Sequence, residues 1–137
     1  MYNQFEQIEP GMVAIAGIPN DENSSFLRGP ALAPARIREA LLSGASNLCA
    51  EDGTDLAEDE RFVDMGDLTL PPGEVWDDSG AAKIEDGISH LLAQGVRVLS
   101  LGGDHAVTYP IIKAYAAHYS QLNILHLDAH PDLYDVL

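Results

Sequence analysis

Apolar residues in this chain come in short runs, and their spacing alternates between that of a buried strand and that of an amphipathic helix. Met12-Val13-Ala14-Ile15-Ala16 closes on Gly17 and Pro19 and reads as a buried first strand. Residues 20–30 carry turn formers without periodicity and read as the loop leaving that strand. Loops at the carboxyl ends of parallel strands are where ligands bind, although composition alone equally allows a solvated surface loop. Pro34 to Leu42 predicts a helix with proline near its start, Ile37, Ala40 and Leu41 on one face, Arg36 and Arg38 elsewhere, and Gly44 as its stop. Residues 43–60 are acidic and aperiodic, a solvated linker. Arg61 to Asp67 reads as a second short strand ending at Gly66, and Pro71, Pro72 and Gly73 punctuate the next loop. A helix follows from Asp78 or Ser79 to about Gln94, with the stripe Ile84, Ile88, Leu91, Leu92 and a stop at Gly95. Val96 to Leu101 is a third strand. Thr108 is placed to cap another helix, with Pro110 in its first turn and Ile111, Ile112, Tyr115, Ala116 and Tyr119 on its buried side. Asn123 to Leu127 reads as a fourth strand. Strands alternating with helices at this spacing predict an α/β fold with a mainly parallel sheet.

The chain has 137 residues, which suits one domain, and 46% of them are hydrophobic, enough for a core. The net charge of −15 is repelled by phosphate backbones and anionic lipid, so nucleic acid and membrane surfaces are poor partners and a cationic ligand is the better match. No apolar run approaches the roughly 20 residues that span a bilayer. The amino terminus lacks the basic-then-apolar pattern of a secretory signal. Cys49 is the only cysteine, so no disulfide forms within the chain, in keeping with a reducing, cytoplasmic setting. Cys49 has no basic neighbour to lower its thiol pKa, which argues against a catalytic role.

The chemistry concentrates at two predicted strand ends. In an extended segment, residues two apart share a side, so Asp128, His130 and Asp132 converge if the fourth strand stays extended past Leu127. Pro131 favours that geometry at His130. Two carboxylates and an imidazole suit Mn²⁺, Fe²⁺, Co²⁺, Ni²⁺ or Zn²⁺ better than Ca²⁺. At the other strand end, Gly102 and Gly103 allow a sharp turn that presents His105. Asp104 either orients a ligand or simply caps the turn. His126 is expected to be a core or supporting histidine, and His90 and His118, late in helices, structural. Trp76 and Tyr109 are expected to pack.

Gly102-Gly103-Asp104-His105 and Asp128-Ala129-His130-Pro131-Asp132, with one helix between them, resemble the paired motifs of the ureohydrolases: arginase, agmatinase and their relatives. Gly17-Ile18-Pro19, with Ser24, Arg28, Gly29, Pro30 and Arg36-Ile37-Arg38, looks like that family's amino-terminal signature, and Val63 to Asp67 like its D-x-G-D segment. The resemblance implies a three-layer α/β/α arginase-like fold and a binuclear metal centre of two Mn²⁺, or Ni²⁺ in some relatives. His105 would bind one metal, Asp128 bridge both, His130 bind the second and Asp132 the first. A metal-bridging hydroxide would attack a guanidinium-type carbon, giving urea and an amine. Homo-oligomers, trimers or hexamers, are implied as well.

Three departures shape the expectation. Ala106 stands where the family usually has serine. Tyr134 stands where arginases carry an asparagine that reads an amino-acid carboxylate, which resembles the agmatinase-like branch and favours agmatine, guanidinobutyrate or another small guanidine-type substrate, most simply a cationic one, over arginine. The family's S-x-D-x-D carboxylates and its proton-shuttle histidine have no counterpart. Residues 1–137 therefore read as the amino-terminal part of a single ureohydrolase domain, expected to be inactive and incompletely folded alone. Rival readings are a formiminoglutamate hydrolase, a guanidine hydrolase, or a non-catalytic truncated half. A nucleotide-binding module is disfavoured because no GxGxxG or Walker-type segment follows the first strand.

Overall fold

A computed structural model describes residues 8–45, 47–70 and 78–132. Three parallel strands form a sheet in the order β2-β1-β3: β1 is Val13–Gly17, β2 Phe62–Asp67 and β3 Arg97–Leu101. Helices α1 (Ala33–Leu41), α2 (Asp78–Ala93) and α3 (Thr108–His118) connect or follow them. The central strand is the most apolar, as burial on both faces requires: Ala14, Ile15 and Ala16 are all buried.

One face of the sheet carries the core. Ile84, Ile88 and Leu92 of α2 meet Ile18, Val107 and Ala114, with Val98, Ile111 and Tyr115 packed against them. Leu91 and Val96 close a second cluster over Ala14 and Ala16. The helical stripe read from the sequence is thus the buried stripe. The expectation for α3 holds in part: Pro110 and Ala114 are buried, Ile111, Ile112 and Tyr115 half-buried, while Tyr119 is exposed and stacks on Tyr115.

The other face is held differently. Strand alternation points Asp64 away from Val63 and Met65, which pack toward α2. There Arg38 of α1 grips it, Nε to Oδ2 at 2.7 Å and a terminal nitrogen to Oδ1 at 2.9 Å, and reaches Asp67 at 2.5 Å and the Gly66 carbonyl at 3.0 Å. The expectation that Ile37 and Leu41 would anchor α1 is corrected: Ile37 is 44% exposed, and Pro34 is the buried residue of the helix. An ion-pair clamp substitutes for an apolar face.

Two further expectations change. Thr108 does not cap α3; Val107 occupies that position without a side-chain bond, and Asp104 caps the 3₁₀ turn His105–Val107 that precedes it. Asn123 to Leu127 forms no strand. Ile124, Leu125 and Leu127 are 61–86% exposed. A segment this apolar on both sides is stable in a sheet only when both faces are covered, and no described helix lies over it. The linker 43–60 is largely exposed, with one isolated bridge between Cys49 and Asp55. Pro71 to Gly73 and Trp76 lie outside the described residues. No described helix is long and apolar enough to cross a membrane.

The Arg38 clamp sets a pH dependence. Burial raises the pKa of Asp64, but the Arg38 and Gly66 hydrogen bonds outweigh it and the net shift is downward. A carboxyl lowered on folding contributes stability above its unfolded pKa, near 3.8, and loses it as pH falls through the folded value. Arg38→Met is therefore expected to cost about 1–2 kcal/mol at pH 7, kept small by water at the half-open Asp64. Urea denaturation at a series of pH values should show that difference shrinking below pH about 4; a constant difference would contradict the clamp.

Candidate metal centre

The three strands run the same way, so their ends meet at one edge. Ile18 N–H donates to Leu101 O, and Leu68 N–H to Gly17 O, each at 2.8 Å. The turn after β3 then crosses the exit of β1, where Asp104 N–H donates to Asn20 O at 2.9 Å. This crossing demands glycine: a Cβ on Gly103 would lie 1.6 Å from Asn20 O. The Asp104 carboxylate adds two bonds, accepting from Asn23 N–H at 2.8 Å and Ala106 N–H at 3.1 Å. It thereby caps the turn and ties in the loop after β1. That loop is also braced internally, because Asp21 accepts from Gly29 N–H at 2.6 Å and Ala31 N–H at 3.2 Å, bonds that hold its carboxyl below the usual range.

His105 leaves this turn exposed rather than in the core. Its Nε2 lies 3.3 Å from Asp132 Oδ2, and the same carboxylate oxygen lies 3.7 Å from His126 Nε2. His105, His126 and Asp132 offer donor atoms all within 4.8 Å of one another. Donors held about 2.1 Å from one ion at angles of about 90–120° stand about 3.0–3.6 Å apart; the His105–Asp132 pair at 3.3 Å lies in that range, and His126 at 3.7 Å from Asp132 would have to draw in slightly to share the ion. The line of donors continues: His126 Nε2 is 3.6 Å from Asp128 Oδ2, and Asp128 Oδ1 is 3.6 Å from His130 Nδ1.

Of the residues singled out from the sequence, the structure brings His105 and Asp132 together and leaves Asp128 and His130 one step away along this line. Tyr134 lies outside the described residues. The expected extended run past Leu127 is corrected. Asp128 accepts from His130 N–H at 2.9 Å, an Asx-type turn, and Asp132 takes a left-handed conformation with φ 50°. The His130 N–H, with smaller help from His126, holds the Asp128 carboxyl below its usual range despite some desolvation, so it is ionised, as a metal ligand must be. The core alternative in the sequence reading of His126 is corrected. His126 sits exposed in the donor group, not in the core. Its signal was the even spacing it shares with Asp128, His130 and Asp132. His90 and His118 stay outside this group; His118 packs edge-on against Tyr119.

The fold and these donors define an α/β protein in which the turn after one parallel strand meets an exposed segment in a histidine–carboxylate cluster of the kind that could hold divalent ions. Comparison with known proteins narrows the class. The Arginase family model matches residues 12–137, and the chain belongs to the arginase family. It is 38% identical to the Arabidopsis thaliana protein "Arginase 1, mitochondrial" over 132 residues, covering 89% of this chain and 37% of that protein. It is 40% identical over 129 residues to the agmatinase of Bacillus anthracis, covering 94% of this chain and 42% of that one. The solved arginase from Medicago truncatula superimposes with a TM-score of 0.81 at 34% identity, over 92% of this chain and 41% of that one. The chain thus spans well under half the length of these relatives, and identity does not choose between the arginase and agmatinase branches.

Gly103→Ala is expected to cost more than 2 kcal/mol, since backbone rather than a flexible side chain must move. Gly102→Ala, which meets only the Val107 side chain at 3.2 Å, should be milder. Thermal unfolding of the two variants checks the order; equal melting temperatures would contradict the crossing.

Proposed function

We propose that this chain carries the amino-terminal part of a ureohydrolase active site, and that its reaction is hydrolysis of a guanidinium-type C–N bond to give urea and an amine. The observation that carries the reading is the unbroken line of donors from His105 through Asp132, His126 and Asp128 to His130. It is long enough for two divalent ions. By family resemblance these would be Mn²⁺, with Ni²⁺ as the variant; His105 and Asp132 would hold one, His130 the other, and Asp128 would serve both. Such ions supply a water nucleophile near neutral pH. The chain's own residues prepare the place. The His130 N–H lowers the pKa of the Asp128 carboxyl further below its ordinary value, Asp132 is turned back toward His105, and Asp104 fixes the turn that carries His105.

An agmatine-like substrate is favoured over arginine by the net charge of −15, which attracts a cation, and by Tyr134 in the place of a carboxylate-reading asparagine. A cytoplasmic setting and a trimeric or hexameric assembly belong to the same reading. The remaining ligands and the proton-shuttle histidine are assigned to segments that relatives carry beyond the matched part.

A chimera tests this directly. Residues 12–137 replace the matching segment of the Bacillus anthracis agmatinase, and urea is measured after loading with Mn²⁺. Agmatine should yield urea, and His105→Asn or Asp132→Asn should lower turnover at least about a hundredfold. Formamide from a formimino compound in place of urea would move the reaction to the formiminoglutamate branch. A folded, metal-loaded chimera that releases no product from either would overturn the proposal.

A further inference from the structure

The loop after β1 and the turn carrying His105 flank an open cleft of about 460 Å³, within the usual size of a small-molecule site. One wall is the 103–106 turn. The other presents Phe26 and Leu27, which are 88% and 66% exposed, beside Pro30. Large apolar side chains are seldom left this open on a loop that is otherwise braced. Here the backbone on either side of them is tied down by Asp104 to Asn23 and by Asp21 to Gly29 and Ala31, which anchors the loop at both ends of the stretch that lines the cleft. Ser24, on the same wall, has a solvent-inaccessible hydroxyl with no hydrogen-bond partner.

Charge decides what the cleft accepts. No lysine or arginine lines it. The loop's own cation, Arg28, is engaged by the Asp21 carbonyl and carboxylate and by Glu22 at 3.2 Å, so it is not presented to a ligand's carboxylate. The Phe26 ring face, in contrast, can receive methylenes or a cation.

We infer that this cleft is the subsite for the aliphatic tail of a guanidine compound, with Phe26 and Leu27 as specificity-determining residues that accept a cationic or uncharged tail and disfavour a carboxylate. The inference rests on the ureohydrolase reading for the guanidinium end, which would lie toward His105, where the cleft meets the donor cluster. The tail then lies along Phe26 and Leu27.

Calorimetry on the 137-residue chain measures affinity, and methyl NMR of Leu27 reports location. Agmatine should shift the Leu27 methyls saturably. 4-Guanidinobutyrate, of similar length with a carboxylate end, should bind at least about tenfold more weakly. Phe26→Ala should weaken agmatine about three- to tenfold, the scale of one lost cation–π or apolar contact, and leave guanidinium ion unchanged. Silent Leu27 methyls, equal affinity for the two tails, or an equal loss for agmatine and guanidinium would each overturn the inference. Calorimetry repeated with Mn²⁺ separates it from the reading beneath it. Leu27 shifts with agmatine affinity indifferent to Mn²⁺ would sink the reaction assignment and keep the cleft. Mn²⁺-dependent guanidinium binding with no Leu27 response would sink the cleft and keep the reaction.

Discussion

The functional edge depends on one backbone approach: the turn after β3 passes so close to the exit of β1 that Gly103 has no room for a side chain beside Asn20 O. Once the chains touch there, Asp104 N–H can reach Asn20 O, and the Asp104 carboxylate can reach Asn23. That contact fixes the height and direction of His105. A similar restriction one strand away supports it, since a Cβ on Gly17 would strike the Asp67 carboxylate that Arg38 holds. The three strand ends are therefore registered to one another by main-chain hydrogen bonds, Ile18 to Leu101 and Leu68 to Gly17, and on the β2 side also by the Arg38-held Asp67 carboxylate.

The two faces of the sheet solve the same problem by different physics. On the α2–α3 side, Ile18, Ile84, Ile88 and Leu92 remove apolar surface from water, a force that needs shape but no direction. On the α1 side, a short helix with little buried apolar surface is positioned by a guanidinium that reads two carboxylates and a carbonyl. That bond set is directional, so it places the ends of β2 and α1 more sharply than it stabilises them. Lys113 and Glu85, 2.7 Å apart between α3 and α2, add only a surface contribution.

What could be read from the sequence follows from this division. Three strands, three helices and the stripe of α2 were legible because apolar periodicity reports burial, and burial governs that face. The Arg38 clamp was not legible: an arginine and aspartates 26 and 29 positions away show no pattern along the chain. The fourth strand was overread because periodicity reports what a segment would bury, not whether a partner is present to bury it. In the site, the ligand types and both motifs were visible. The grouping of His126 with His105 was not, since it depends on an Asx-type turn at Asp128 and a left-handed Asp132, which local hydrogen bonding selects against the extended form.

The donor segment is thus exposed at every described position from 119 to 132 while carrying most of the candidate ligands. Asp128 and Asp132 both approach His126, within 3.6 and 3.7 Å, and two carboxylates so placed repel unless a cation stands between them. A divalent ion placed there would relieve that repulsion. On the proposed reading, ion binding and the final arrangement of residues 126–132 are one process, because the free energy of coordination is spent on ordering the segment that supplies the ligands. The braced turn at Gly103 and the exposed segment after Leu127 thus contribute differently: one fixes His105 through main-chain and Asp104 hydrogen bonds, and the other brings its carboxylates to His105 through local turns alone.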